Sequence, residues 1–166
     1  MIFILDEVLD RDACNRLMDL HFSNPTDVKS WRDTFCLQIE EQMPFAYECA
    51  KKIEALVQKH AGAHEIDWAQ IVLWPEGSHQ HFHFDNASSQ TTIASITYLN
   101  DGYVGGNTHF WDGTSVAPVA GRTVFFWGQK YKHAVCPIVR GSRFTMPIWY
   151  KAKGAQFADN ASVLKK

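Results

Sequence analysis

The chain has 166 residues, of which 13% are aromatic, and a formal net charge of −2. This length is enough for one domain with a sizeable core, and the charge lacks the basic footprint of a nucleic-acid-binding protein. No apolar run is long enough for a membrane span or a signal peptide, and the four cysteines show no Cys-x-x-Cys spacing. We therefore predict a single domain over residues 1–166 of a cytoplasmic protein with free thiols, without nucleic acid or membrane as a partner.

Residues 1–65 are expected to form a helical support. A short apolar strand at the start leads into a helix that Asp10 can cap, and a second helix is predicted over residues 44–61, where apolar residues recur at helical spacing. Between the helices, residues 22–43 are predicted to form a loop that closes over substrate. Three histidines in or near this part are interpreted as surface residues: His21, His60 and His64.

Residues 66–150 are predicted to form the β core. Short apolar and alternating runs are separated there by Pro-Glu-Gly, Asn-Asp-Gly, Asp-Gly and Gly-Gln-Lys turns, a pattern typical of antiparallel sheets. The predicted fold is mainly β with flanking helices, a double-stranded β-helix (jelly roll) whose eight strands close two sheets around a pocket. Residues 86–91 are a second candidate for a loop closing over substrate. The polar tail, residues 151–166, is expected to be partly disordered.

The strongest chemical signal in this core is the pair His83-x-Asp85. Alternate residues of a strand point to the same side of the sheet, so both side chains can reach one ion. Residues 79–85 alternate polar and aromatic types over their second half, as a strand facing a wet pocket does. Two imidazoles and one carboxylate on one face of an ion form the triad of non-haem Fe(II) sites, which leaves three positions open.

A third ligand must come from later in the chain. Only His109 and His133 follow Asp85. His133 comes after an apolar run and a short turn, at the start of a strand that can return beside the first, so we favour His133. We exclude His79 and His81 as ligands, because additional histidines on a wet strand more often face solvent.

The distribution of carboxylates argues against a cupin metal site. That site needs His-x-His followed within a few residues by glutamate, and no glutamate follows Glu76. The only acidic residues after Asp85 are Asp101, Asp112 and Asp159, and the first two precede glycine in strong turn signals. Asp85 is therefore the one plausible carboxylate ligand.

Four motifs follow one another in the second half of the chain. They are Trp74-Pro75-Glu76-Gly77 before the His-x-Asp pair, then Ile96-Thr97-Tyr98-Leu99-Asn100, then Gly105-Gly106-Asn107-Thr108-His109-Phe110, and last His133-Ala134-Val135-Cys136-Pro137 with Arg143 ten residues after His133. In this order they resemble the prolyl 4-hydroxylase branch of the 2-oxoglutarate-dependent Fe(II) oxygenases. Each motif alone is weak, and the ordered set is specific.

The resemblance implies that Fe(II), 2-oxoglutarate and O2 are the cofactor and cosubstrates. His83, Asp85 and His133 would then be the catalytic metal ligands, and the oxidative loss of CO2 from 2-oxoglutarate would leave succinate. The metal performs the difficult chemistry in such enzymes, while the protein positions and shields the reactants.

Further site residues follow from the same resemblance. A buried carboxylate needs a permanent cation, and arginine binds it through two parallel hydrogen bonds, so Arg143 is the candidate anchor for the distal end of 2-oxoglutarate. Tyr98 and Thr108 would donate hydrogen bonds at that end. Trp74 would replace a tyrosine near the metal-binding end of the acid.

Departures from the family pattern concern the substrate side of the pocket. Gln80 stands where the family usually has a second tyrosine, and Pro147 lies on a strand where some relatives place a threonine that holds 2-oxoglutarate. Trp149 matches the aromatic residue that the family places near the pocket mouth. Gln80 and Trp149 are therefore our candidates for substrate contacts.

The resemblance predicts a dioxygenase that hydroxylates proline in a peptide or protein. Fold and triad do not determine the substrate, so hydroxylation of another residue or of a small molecule stays open. A jelly-roll binding module that keeps its metal only for structure is the alternative from another class.

Overall fold

The computed structural model describes residues 1–154, which form two helices and thirteen strands. The helices are α1 (Arg11–Ser23) and α2 (Pro44–Ala61). The strands, in chain order, are β1 (Ile2–Leu5), β2 (Lys29–Trp31), β3 (Thr34–Gln38), β4 (His64–Trp74), β5 (Gln80–His83), β6 (Thr91–Tyr98), β7 (Val104–Gly105), β8 (Thr108–Phe110), β9 (Ser115–Val116), β10 (Thr123–Trp127), β11 (His133–Val135), β12 (Ile138–Arg140) and β13 (Arg143–Ala152).

The predicted double-stranded β-helix is confirmed. A seven-stranded sheet has the order β1-β10-β6-β13-β4-β3-β2, and a four-stranded sheet has the order β5-β11-β8-β9. The central strands β10, β6, β13 and β4 of the large sheet, together with the four strands of the small sheet, make the eight strands of the jelly roll. Strands β12 and β7 form a separate short ladder.

The amino-terminal part contains the predicted first strand and two helices, and also the unpredicted strands β2 and β3. Strand β1 pairs with β10 and β3 pairs with β4, which extends the large sheet at both edges. Residues 22–43, predicted as one loop, contain the end of α1 and the β2–β3 hairpin. The sequence did not reveal β2, because all three of its residues are exposed and no alternation of burial marks it.

The last strand separates the apolar core from the cavity of the protein. Along β13, Phe144, Met146, Ile148 and Tyr150 belong to the core beneath α1 and α2. The intervening residues face the opposite side and line a cavity: Arg143, Thr145, Pro147 and Trp149. This period of two follows from the pleat of a strand. One strand therefore anchors the sheet and supplies the wall of the pocket.

Both helices pack their apolar faces against the large sheet. Asp10 caps α1, as predicted, and its carboxylate accepts a hydrogen bond of 2.7 Å from the backbone N–H of Ala13. Leu17 on α1 and Ile53 on α2 are fully buried. Burial of each side chain stabilises the fold by about 1.5–3 kcal/mol relative to an exposed side chain. No helix within residues 1–154 is long and apolar enough to cross a membrane.

Two of the three histidines interpreted as surface residues are buried, and that interpretation is wrong for them. His21 lies four residues after Leu17 on the inner face of α1, and its Nε2 is 3.0 Å from the carbonyl oxygen of Phe35. His64 is buried at the start of β4, with Nδ1 3.1 Å from the carbonyl oxygen of Gly62. His60 is exposed, as predicted.

The prediction of free thiols is confirmed, whereas the predicted tail begins within a strand. All four cysteines are free thiols, as predicted, and three of them are buried. The polar tail predicted over residues 151–166 begins inside β13, and its residues from 155 onward lie outside the described part of the chain.

Candidate active site

The structure brings the three predicted metal ligands together. One side-chain nitrogen or oxygen of each of His83, Asp85 and His133 lies within 4.8 Å of the others. The two carboxylate oxygens of Asp85 are each 3.4 Å from an imidazole Nε2, one in His83 and one in His133. Both Nε2 atoms therefore lie close to the same carboxylate, and the three side chains converge on one point that an ion can occupy.

Direct strand pairing places the two imidazoles. His133 on β11 is the Cα partner of His83 on β5, and their ring centroids are 4.3 Å apart. His109, the alternative third ligand, pairs with Ala134 instead, and it does not belong to this group. Because neighbouring residues of a strand point to opposite faces, His109 lies on the side of the sheet away from the ligands.

A glycine after β10 fixes the backbone of Asp85. The N–H of Asp85 donates to the carbonyl oxygen of Gly128 over 3.0 Å. A Cβ at position 128 would lie 2.2 Å from the carbonyl oxygen of Asp85, so only glycine allows this approach. The short Gly-Gln-Lys turn thus positions the carboxylate as well as reversing the chain.

The protonation states of Asp85 and His133 suit metal binding. Burial alone would raise the pKa of Asp85, but the nearby imidazoles of His133 and His83 and a hydrogen bond from the Trp149 side chain outweigh it, and the pKa falls below its ordinary value. Burial lowers the pKa of His133, and the charge of Asp85 does not fully offset this effect. Near neutral pH the site therefore offers a carboxylate and a neutral imidazole, the forms that bind cations.

The pH dependence of metal binding should be governed by His83. Burial would lower its pKa, but the hydrogen bond and the charge of Asp85 raise the pKa above its ordinary value. A cation must displace this proton, so we expect affinity for Mn(II), used as a redox-stable probe, to fall as the pH is lowered through that pKa. Titration calorimetry in buffers of different ionisation enthalpy measures both the affinity and the released proton. Affinity independent of pH would contradict this assignment.

Arg143 lies at a second, fully buried position of the site. It is 1% exposed and begins β13, where its Cα partner is Trp74 on β4. Its guanidinium carbon is 5.0 Å from the ring centroid of Trp74 and 5.4 Å from that of Tyr98. Nη2 donates to Thr108 Oγ1 over 3.4 Å, and the same hydroxyl hydrogen-bonds to Tyr98. Trp74, Tyr98 and Thr108, which were predicted to contact the cosubstrate, thus surround the Arg143 guanidinium.

The unpaired polar atoms around Arg143 fit an anion. Within residues 1–154, the buried side-chain nitrogens and oxygens without a hydrogen-bond partner are Trp74 Nε1, Tyr103 Oη and Arg143 Nε. A buried cation without a partner is costly, and so is a buried unpaired donor. A carboxylate beside the guanidinium removes the cost of the buried charge, so the residues fit one end of 2-oxoglutarate.

Two residues of this anchor differ from what the sequence indicated. Trp74 was expected near the metal-binding end of the acid, and its ring lies against Arg143. Tyr103 was missed altogether, because it lies between a turn signal and Gly105, where the pattern indicates only a loop. Its contact with Arg143 arises from the fold and has no local signal.

The ligands and Arg143 open into the same cavity, which has a volume of about 660 Å³. This size is typical of sites that enclose a small molecule. Gln80 and Trp149, the candidate substrate contacts, also line it, and the Trp149 ring tilts against Trp68 at 5.7 Å between centroids. Parts of both predicted substrate-closing segments line the cavity. The first segment contributes several residues between Asp27 and Gln38, and the second contributes Asn86 and Ala87.

The segment over residues 86–91 is tied to the large sheet. Ser88 Oγ donates to Asp67 Oδ2 over 3.1 Å, and the backbone N–H of Ser88 donates to Thr91 Oγ1. These bonds hold its distal half against β4 and β6, while Asn86 and Ala87 remain on the cavity side.

Comparisons with known proteins agree with this geometry. The model of the 2OG-Fe(II) oxygenase superfamily matches residues 69–151, half of the chain. The bovine prolyl 4-hydroxylase subunit alpha-3 is 24% identical, with 71% of this chain and 28% of that protein covered. The chain therefore spans less than a third of the length of this relative.

Two solved structures have the same fold. A prolyl-4-hydroxylase from Pseudomonas putida superimposes with a TM-score of 0.73 and 21% identity, covering 92% of this chain and 93% of that chain. A prolyl hydroxylase from Trichoplax adhaerens, in complex with a peptide fragment of the hypoxia inducible factor oxygen degradation domain, gives 0.75 and 16%, covering 93% and 87%. Together with the family match and the ligand set, these likenesses identify the chain as a member of the 2-oxoglutarate/Fe(II) oxygenase superfamily, a dioxygenase that uses Fe(II), 2-oxoglutarate and O2.

Proposed function

We propose that this dioxygenase hydroxylates a prolyl residue in a peptide or protein and releases succinate and CO2 from 2-oxoglutarate. The observation that carries the proposal is the shared cavity, into which the metal ligands and Arg143 open side by side. The prolyl substrate is supported by the likeness to prolyl hydroxylases, one of which binds a peptide fragment.

The residues of the chain have separate tasks in this reaction. His83, Asp85 and His133 would hold Fe(II), and the bound metal would supply the oxidation of an unactivated C–H bond with O2. Arg143 pairs with the distal carboxylate of 2-oxoglutarate and so directs the keto-acid end toward the metal. Because His133 and Arg143 are at most 2% exposed, both interactions are shielded from water and strengthened.

The mouth of the cavity is rich in aromatic side chains that remain accessible. Trp31, Trp68 and Phe84 line it and are 49%, 40% and 39% exposed. Aromatic grooves bind extended proline-containing segments, whose rigid backbone loses little entropy on binding. The exposed aromatic rings at the mouth, with the polar metal ligands deeper in the cavity, thus suit a peptide that inserts one side chain toward the metal.

The proposal is tested by turnover with paired peptides. Proline-containing peptides should stimulate formation of succinate in the presence of Fe(II), and mass spectrometry should locate the gain of one oxygen atom on proline. Peptides with alanine in place of that proline are the matched controls and should not be modified. Succinate formation stimulated only by other compounds would favour another hydroxylase, and tight metal binding without any succinate would favour a binding module.

A further inference from the structure

Tyr103 meets Arg143 in a space that Gly106 leaves free. A Cβ at position 106 would lie 2.8 Å from Tyr103 Cε2 and 3.1 Å from Arg143 Cδ, and one at Gly141 would lie 3.1 Å from Tyr103 Cβ. Gly106 also has φ of +71°, which glycine adopts at little cost. The edge of the tyrosine ring and the stem of the arginine therefore both border the space that Gly106 leaves free.

This contact brings two unpaired polar atoms into one neighbourhood. Cε2 is bonded to the ring carbon that carries the Tyr103 hydroxyl, and Cδ of Arg143 is bonded to Nε. Neither the hydroxyl nor Nε has a hydrogen-bond partner among the described residues. Burial raises the pKa of Tyr103 despite the opposing charge of Arg143, so the hydroxyl stays neutral beside the cation. Its oxygen is an acceptor, and Nε–H is a donor.

We propose that Tyr103 is a positioning residue for 2-oxoglutarate, acting through Arg143 by accepting a hydrogen bond from Nε–H. With Nε held on one side, the two Nη groups of the guanidinium are turned toward the distal carboxylate, in the fork arrangement that arginine offers to anions. Trp74 and Tyr98 contact the guanidinium mainly through their rings. The orientation of the guanidinium within its own plane is therefore set by Tyr103 and Thr108. The inference rests on the anchoring role of Arg143 proposed above.

The test measures binding rather than turnover. Tyr103→Phe removes only the hydroxyl, and Tyr150→Phe is the control, because the Tyr150 hydroxyl is equally buried but bonds to Ser95 in the core under the helices. Anaerobic Fe(II) protein is titrated calorimetrically with 2-oxoglutarate and with 2-oxobutanoate, which lacks the distal carboxylate. Tyr103→Phe should weaken binding of 2-oxoglutarate by about two- to tenfold and leave 2-oxobutanoate unaffected.

A second background separates positioning from general damage. In an Arg143→Lys protein, which has no Nε–H donor, Tyr103→Phe should cause no further loss of 2-oxoglutarate affinity. Wild-type affinity of Tyr103→Phe for 2-oxoglutarate would overturn the inference. So would an equal loss for both keto acids, or the same loss in Tyr150→Phe, because each would indicate a structural effect.

An independent feature lies at the tip of the β2–β3 hairpin. Trp31 and Thr34 are Cα partners, so Arg32 and Asp33 form a two-residue turn. Arg32 has φ of +52°, an uncommon conformation for a residue with a Cβ. Its guanidinium carbon lies 4.8 Å over the Trp31 ring, and both side chains line the cavity. A two-residue hairpin turn calls for a positive φ at its first residue, and stacking on Trp31 holds the guanidinium at the cavity mouth.

The charge at this mouth is not balanced. Apart from Asp85 and Arg143, the charged residues that line the cavity are Asp27, Lys29 and Arg32. Neither Lys29 nor Arg32 forms an ion pair within residues 1–154. The hairpin therefore presents an excess of positive charge to whatever enters the cavity.

We infer further that the substrate segment carries a carboxylate close to the oxidised residue and that Arg32 pairs with it. This inference depends on the proposed peptide hydroxylation and names the chemistry of the peptide. The aromatic side chains of the mouth bind the segment without regard to charge, whereas Arg32 selects among segments that are otherwise alike.

Three otherwise identical proline peptides with Glu, Gln or Lys beside the proline test this charge preference. For the wild type, kcat/KM should be about fivefold higher for the Glu peptide than for the Lys peptide and should lose this margin in high salt. Arg32→Gln should remove the preference and Arg32→Glu should reverse it. Arg140→Gln, an exposed arginine outside the cavity lining, should keep it.

The outcomes distinguish the inference from the function on which it rests. Equal turnover of all three peptides, or an unchanged preference in Arg32→Gln, overturns the role of Arg32 while peptide hydroxylation stands. Absence of proline modification in every peptide overturns the proposed function itself, and the charge preference with it.

Discussion

Replacing His133 with alanine should abolish Fe(II)-dependent turnover of 2-oxoglutarate. This imidazole is 2% exposed and lies within 4.8 Å of the ligand atoms of His83 and Asp85, so no water-exposed side chain can take its place. The remaining pair binds metal from two positions only, and the carboxylate loses the neighbour that lowers its pKa most. Succinate formation at saturating Fe(II) measures the activity, and calorimetry with Mn(II) measures the affinity for metal.

His109→Ala is the matched control for this variant. His109 is the other histidine that follows Asp85, and it lies on the neighbouring strand β8, outside the ligand group. We expect this variant to keep its metal affinity and turnover. Loss of metal binding in His109→Ala, with retention in His133→Ala, would show that the ligand set is wrong.

Replacing Arg143 with alanine should weaken binding of 2-oxoglutarate by about thirtyfold or more while metal binding persists, because a buried charge partner of the distal carboxylate is removed. Arg143 is 1% exposed, and its neighbours Trp74, Tyr98 and Thr108 are uncharged, so no adjacent cation can substitute. The KM for 2-oxoglutarate and its affinity for the anaerobic Fe(II) protein should change together.

Arg140→Ala provides the comparison, since this arginine lies three residues earlier on β12 and is exposed. We expect its KM for 2-oxoglutarate to equal that of the wild type. If Arg143→Ala behaved like the wild type and Arg140→Ala did not, Arg140 would have to be the anchor and the cavity would have to open differently.

The metal centre was accessible to sequence reasoning because its signals are local. The spacing of His83 and Asp85 predicted a common side, although β5 ends at His83 and Asp85 follows it, and the apolar run before His133 marks the strand that returns beside it. The jelly roll followed from turn residues in the same way. These features depend on neighbours in the chain, and a single sequence displays such neighbours directly.

What the sequence did not reveal depends on contacts between distant segments. Tyr103 belongs to no periodic sequence pattern. Its position beside Arg143 is possible because Gly106 has no side chain. Trp74 lies beside Arg143 because β4 and β13 pair in one register. His21 was assigned to the surface because a histidine on a helix is usually solvated, and the sheet edge that β3 adds over it was not predicted.

The pairing of His83 with His133 has a consequence for the lifetime of the protein. These residues belong to adjacent strands and are 50 positions apart in the chain, so an ion bound by both acts as a reversible cross-link between β5 and β11. Mass action then stabilises the native state whenever the ion is supplied. Scarcity of iron should accordingly leave β5 easier to detach and to cleave, and would lower the amount of enzyme as well as its rate.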